Sequence, residues 1–199
     1  MFILASSSPR RISILQRLGI PLRVVPPRYE VNIETSDPYE KARLIALEKA
    51  RSVAGLFTEG IVIAADTIVV IDNMILGKPK DVSEAEKFLQ MLSGRDHIVI
   101  TGLALIDSES MKEVVNHSET KVWFRTLDDK DIEWYLRTGE PFDKAGGYAI
   151  QGFGAFLVER IDGDFWNIVG FPLPLFYRLL KEEFGINLFD FVKCTFSLV

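Results

Sequence analysis

Three groups of side chains in this sequence have the chemistry to handle a phosphorylated ligand. The first follows the N-terminal apolar run: Ser6, Ser7 and Ser8, then Pro9, then Arg10 and Arg11. Proline suits the first position of a helix, where its missing N–H costs nothing. Arg10 and Arg11 then fall in the first turn, where cations oppose the helix macrodipole. An anion docked on that turn reverses the penalty. Free N–H groups, the hydroxyls of Ser6 and Ser8 and two guanidinium forks all converge on a phosphate there. A plain strand–turn–helix with solvated arginines is the alternative.

The second group centres on Asp66. It interrupts the stretch 61–70, Ile-Val-Ile-Ala-Ala-Asp-Thr-Ile-Val-Val, the most apolar strand in the chain. A carboxylate there is costly unless it is paired, hydrogen-bonded or beside a metal. It also suits the end of a strand, where α/β sheets place active sites. A turn-capping aspartate is the bland alternative. Thr67 points to the opposite face of a regular strand. Lys49 follows Ala42, Ile45 and Ala46 on the apolar face of a helix, so it must snorkel or meet an anion. Lys78, between Gly77 and Pro79, has a restricted backbone and can be aimed, although most such lysines are solvated. Glu30 and Glu34 are usually read as solvated loop residues. They could also join Asp66 around Mg²⁺, which takes carboxylates together with substrate phosphates.

The third group lies in the glycine-rich stretch 139–154. Asp143 and Lys144 put an acid beside a base, and Gln151 offers a donor and an acceptor suited to a nucleobase edge. Motifs for other chemistries are missing. There is no HExxH, paired CxxC or Walker loop, His97 and His117 have no partner spacing, and the serine run lacks a nucleophile elbow. Covalent catalysis is disfavoured. The inventory fits a phosphate-rich substrate and metal-assisted attack by water.

Composition narrows the setting. A net charge of −5 over 199 residues disfavours nonspecific nucleic-acid binding but permits a local basic site. One cysteine, Cys194, allows no disulfide within the chain, as expected of a cytoplasmic protein. No run approaches the roughly 20 apolar residues of a membrane span. The N-terminal apolar run is too short for a signal peptide.

The elements that must position these groups alternate. Strands are predicted at 2–5, 22–25, 61–70, 74–76, 97–106, 113–125 and 155–161, with a hairpin turn at Asp72 and Asn73. Helices are predicted from Pro9, from Pro38, from a capping box of Ser83 and Glu86, over 128–138 and over 172–184. The pattern reads as one α/β domain over 1–199, with a mixed twisted sheet flanked by helices. An apolar tail over 188–199 is expected to pack on the body or on a second copy, as in a homodimer.

Read together, several segments resemble the motifs of one family. They are Ala5-Ser-Ser-Ser-Pro-Arg-Arg11, Glu48-Lys-Ala50, Ala65-Asp-Thr67, Gly77-Lys-Pro79, Leu92-Ser-Gly94, Thr101-Gly102, Glu140-Pro141, Asp143-Lys-Ala-Gly-Gly-Tyr148, Ile150-Gln-Gly152 and Val169-Gly-Phe-Pro-Leu173. They resemble, over the chain to about Asn187, the Maf proteins, house-cleaning nucleotide pyrophosphatases also called septum-formation inhibitors. The resemblance implies an elongated, two-lobed architecture similar to inosine triphosphatases, with a central cleft. It implies hydrolysis of a nucleoside triphosphate to the monophosphate and pyrophosphate, with Mg²⁺ or Mn²⁺. It makes Asp66 the general base, and Arg10, Arg11, Lys49 and Lys78 the phosphate-binding cations. The sequences around Thr67 and Gln151 resemble the dTTP/UTP branch rather than the 7-methyl-GTP branch. Arg11 (or Arg10), Thr67 and Gln151 would then be the specificity positions.

There are departures. Val31 follows Glu30 where the branch shows two adjacent acids, so either Glu30 or Glu34 would complete the metal site with Asp66. Phe171 replaces a usual leucine, and Ala149 stands where glycine is common. The family's older name implies an alternative: a nucleotide-sensing regulator of cell division that acts through a partner.

Overall fold

One long strand, β3 (Ile61–Ile71), organises the computed structural model, which describes residues 1–29 and 31–192. Its β-branched and small apolar residues are buried on both faces, as a central strand requires. On one side lie β1 (Phe2–Leu4) and then β2 (Leu22–Val24), both parallel to it. On the other, β5 (Asp96–Asp107), β6 (Glu113–Phe124) and β7 (Val158–Gly163) follow in antiparallel order. β4 (Met74–Leu76) folds back on β3 through Asp72 and Asn73, whose positive φ angles match a type I′ turn. Among the described residues the sheet is therefore mixed and seven-stranded, in keeping with the alternation of elements in the sequence.

Helix α2 (Pro38–Ala54) covers one face. It starts where the Asp37 side chain accepts from the Tyr39 N–H, with Pro38 in the first position. Fully buried Ala42, Ala46 and Ala50 let it lie close. A Cβ added to Gly102 on β5 would stand 2.1 Å from the Ala42 carbonyl oxygen, so glycine is needed at that crossing. The opposite face carries two apolar clusters. Helices α1 (Pro9–Arg17) and α6 (Leu173–Phe184) pack over Ile61, Ile63 and Ala65. Helices α3 (Val82–Leu92) and α4 (Asp129–Arg137) pack over Val69 and Ile71.

β3 is thus apolar towards both ends and polar in the middle. Thr67 falls between the two clusters of one face. Asp66 falls between Val62 and Ala64 on one side and Ile68 and Val70 on the other, all under α2. One edge of the strand is also incomplete there. β1 pairs residues 61–63 and β4 pairs residues 69–71, so among the described residues no strand lies beside 64–68 on that edge.

Three local expectations change. The cap of α3 is Asp81, which accepts from the Glu84 N–H, and not Ser83. The strand expected at 155–161 starts at Val158, because Phe153–Phe156 is a 3₁₀ turn. A short helix, α5 (Phe165–Val169), was not expected. In the apolar tail, Leu188 is buried and Phe191 packs edge-on against Phe2 at 5.3 Å, so this part lies on the body. Residues 193–199, with Cys194, lie outside the described residues. Among the described residues no helix is long and apolar enough to cross a membrane.

Candidate active site

The gap beside β3 opens into a cavity of about 410 Å³. Ser6, Ser8, Arg10, Arg11, Lys49, Asp66, Thr67, Lys78, Asp143, Lys144 and Gln151 all line it. Residues from the first 11 positions and from the stretch 143–151 thus meet across one space. Five cations (Arg10, Arg11, Lys49, Lys78 and Lys144) face two carboxylates (Asp66 and Asp143) on a chain of net negative charge. The wall favours an anionic ligand. Glu34 is exposed on the loop before α2 and is not on this wall, and Glu30 lies outside the described residues.

Lys49 and Asp66 form the most regular part of the site. The Lys49 ammonium donates to Asp66 Oδ1 at 2.5 Å. Their side chains keep 22% and 18% of their surface, so the pair is half-withdrawn from water but still reachable. This is the anion that the position of Lys49 on the apolar face of α2 demands. Asp66 Oδ2 takes no hydrogen bond from the described residues.

The N-terminus of α1 faces the same space. Ser8 caps the helix by position without a side-chain bond, and its own N–H donates to Ser6 Oγ at 3.1 Å. No acidic residue occupies the first turn. Arg11 reaches behind it. Its Nε donates to the Gly170 carbonyl at 2.7 Å and its Nη2 to Thr67 Oγ1 at 3.0 Å. Both partners are neutral, so the charge is held in place without being cancelled. Burial lowers the pKa of Arg11, opposed by Asp66. Arg10 is lowered by burial too, opposed by Asp143 and Glu140. Gly170, after α5, has φ +109°, and an added Cβ would crowd Thr67 Oγ1 at 3.2 Å. Residue spacing gives no sign of this carbonyl acceptor 159 residues from Arg11.

Gln151 sits exposed on the opposite wall, in a tight loop that a carboxylate pins. Glu140 Oε1 accepts from the Gly154 N–H and the Tyr135 hydroxyl, both at 2.9 Å, and its Oε2 accepts from the Phe153 N–H at 2.9 Å. Tyr135 in turn accepts from the Ala149 N–H at 3.2 Å. The two ends of the loop around Gln151 are thereby tied to one side-chain pair. Gly152 makes room for it, since an added Cβ would lie 2.0 Å from Glu140 Oε2. Glu140 belongs to one of the motif segments in the sequence, but its residue type and spacing give no sign of this pinning role. Lys144 is ion-paired with Asp143 and donates to the Glu140 carbonyl at 3.2 Å. Burial pushes Asp143 up, but Lys144 holds its carboxyl below the ordinary value. Deeper in, the Tyr148 hydroxyl and His97 Nε2 lie 2.7 Å apart.

The family model described as "Maf-like protein" matches residues 1–183. The chain belongs to the Maf family. A dTTP/UTP pyrophosphatase of Caldanaerobacter subterraneus subsp. tengcongensis is 50% identical to it over 185 residues, 92% of this chain and 89% of that one. A dTTP/UTP pyrophosphatase of Clostridioides difficile is 50% identical over 188 residues, 94% of this chain and 97% of the other. Among solved structures, a nucleoside-triphosphatase/dITP/XTP pyrophosphatase from Mycobacterium abscessus overlaps 62% of this Maf chain and 72% of its own. The TM-score is 0.43 and the sequence identity 20%.

Proposed function

We propose that this protein hydrolyses dTTP and UTP between the α and β phosphates, releasing pyrophosphate and the nucleoside monophosphate. The observation that carries the reading is the Lys49–Asp66 pair at the open edge of β3, which lines one cavity together with the N-terminus of α1. It is supported by relatives at half identity that bear this activity in their names. In this reading Asp66 takes the proton of a water that attacks the α phosphorus in line. Lys49 keeps the carboxylate in one orientation. Arg10, Arg11, Lys78 and the free N–H groups in the first turn of α1 hold the triphosphate and the departing pyrophosphate. In the same reading Lys144 binds the substrate, and Gln151 and Thr67 read the pyrimidine. The setting is the cytoplasmic pool of free nucleotides.

A divalent cation, Mg²⁺ or Mn²⁺, fits this donor set. Among the described residues no three carboxylates, histidines or cysteines cluster as a closed metal site. Mg²⁺ is commonly held by one or two carboxylates and the substrate's own phosphates, and Asp66 supplies such a carboxylate here. The ion would neutralise phosphate charge.

The test is pyrophosphate release from a panel of triphosphates with Mg²⁺. Turnover of dTTP and UTP above the purine triphosphates is expected. Binding of these nucleotides without any turnover would overturn the enzyme reading in favour of the regulatory one.

A further inference from the structure

The hydroxyls behind the Thr67 wall hold their protons in one order. Thr101, fully buried on β5, places its Oγ1 2.8 Å from the Asn167 carbonyl. A carbonyl only accepts, so the single hydroxyl proton of Thr101 goes there. Thr67 Oγ1 is 2.9 Å from Thr101 Oγ1, and with the Thr101 proton committed, Thr67 is the donor in that pair. A guanidinium has no acceptor, so Arg11 Nη2 donates to Thr67. The Thr67 hydroxyl has then given its proton, received one N–H and kept one lone pair. The order is fixed from behind. Asn167, also fully buried, donates through Nδ2 to the Val99 carbonyl and to Thr120 Oγ1, both at 2.9 Å. Thr120 donates to the Asp164 carbonyl at 2.9 Å.

We propose that Thr101 is a specificity-determining positioning residue, which makes Thr67 an acceptor-only group and so selects a base with a ring N–H over one with a ring lone pair. The inference rests on the dTTP/UTP reading above. Uracil and thymine carry an N–H at N3, whereas cytosine carries a lone pair. Against the first edge Thr67 completes a hydrogen bond. Against the second, two acceptors meet and both polar groups stay unpaired, which rejects the wrong base more strongly than a lost contact alone.

The test measures kcat/KM for UTP and CTP, by pyrophosphate release with Mg²⁺, in wild type, Thr101→Val and Thr101→Ser. Wild type is expected to prefer UTP by about tenfold or more. Valine keeps the branched shape but frees the Thr67 proton to turn into the cavity. UTP use should then fall, CTP use should rise, and the ratio should collapse towards one. Serine keeps the proton order and should keep the ratio. If the valine variant does not fold, Thr101→Ala, which also removes the hydroxyl, takes its place and should show the same collapse of the ratio; wild type should use 3-methyl-UTP, which lacks the N3–H, as poorly as CTP. A folded Thr101→Val protein with the wild-type ratio overturns the proposal. So does wild type that uses CTP, or 3-methyl-UTP, as well as UTP. Wild type that releases no pyrophosphate from UTP or dTTP overturns the functional reading itself, an outcome distinct from these.

Discussion

The two walls of the cavity are built by different means. The wall with Asp66, Lys49 and Arg11 is regular structure: a strand buried on both faces, a helix seated on it by three alanines, and a helix N-terminus. Its functional side chains project from backbone that the core already fixes. The wall over 139–157 contains nothing more regular than 3₁₀ turns. Its shape depends on side chains bonding to backbone, with Glu140 and Tyr135 at one end and Tyr148 with His97 at the other. In the proposed reaction, the groups that must hold a reacting geometry stand on the first wall together with Thr67, while Gln151, which reads the base with Thr67, stands on the second. The first wall should therefore lose activity without losing its shape, and the second should lose selectivity whenever its pins are drawn.

Asp66→Asn tests the first half most severely. The amide keeps the size and can still meet Lys49, but it accepts no proton. Turnover of dTTP is expected to fall by about 10²–10⁴, the usual worth of positioned acid–base catalysis. Melting should change little, since both partners of the pair keep contact with solvent. If Asp66 is instead a structural cap, the order reverses: the melting temperature falls and activity follows only through unfolding. Thermal melts and turnover measured on one preparation separate the two. Arg11→Ala comes next. Charged hydrogen bonds are worth roughly 1.5–3 kcal/mol, so kcat/KM should drop by about one to two orders of magnitude. Arg11→Lys should recover only part of this, because an ammonium cannot span both the Gly170 carbonyl and Thr67 as a guanidinium does. Full activity in the alanine variant would return Arg11 to a structural role.

The second wall is probed by Gln151→Ala and Glu140→Gln. Losing a base contact leaves a polar edge unpaired and costs roughly 1–3 kcal/mol, so the preference for dTTP and UTP over CTP should shrink while stability holds. An unchanged preference would remove Gln151 from base recognition. Glu140 touches the same property indirectly. Its two oxygens accept three donors, and an amide in place of either oxygen would turn an N–H towards another donor. Glu140→Gln should therefore raise KM more than it lowers kcat. Gly152→Ala, which pushes on the same carboxylate, should do likewise. A loss confined to kcat in both variants would break the division between the walls.

Much of the first wall is legible in the sequence because burial leaves a pattern. An aspartate inside an apolar strand and a lysine on the apolar face of a helix each demand a partner, and they turn out to be each other's. The opposite facing of Asp66 and Thr67 follows from strand periodicity. The bonds that orient Arg11 and the Gln151 loop leave no such trace. They run to backbone carbonyls and N–H groups, which every residue possesses. The misread cap of α3 has a similar cause. Ser83 with Glu86 and Asp81 with Glu84 share one spacing, and only the backbone φ and ψ of Asp81 decide between them. The likeness of solvated and liganding glutamates explains Glu34, whose loop holds it exposed and off the cavity wall.

The smallest effect on turnover at neutral pH is expected deep in the second wall, where the consequence is instead pH-dependent stability. His97 is buried against Phe124 and Tyr148, and its Nδ1 has no partner among the described residues. Burial pushes its pKa down to about 4. The folded protein therefore holds His97 neutral while the unfolded chain protonates near the ordinary value of 6.5. With fewer protons bound in the folded state, stability rises with pH across that interval. The contribution is complete above about pH 6.5 and is lost as the pH falls towards 4, up to roughly 3 kcal/mol by the size of the shift. His117 is also lowered, by burial and then by Arg43, and acts in the same direction. A double variant, His97→Phe with Tyr148→Phe, removes the titrating group without orphaning the tyrosine hydroxyl, and it leaves His117 in place. Denaturant midpoints measured from pH 4 to 8 should fall less steeply with acid in the double variant than in wild type. Parallel curves would mean that His97 reaches solvent and that the second wall is looser at its base than its hydrogen bonds indicate.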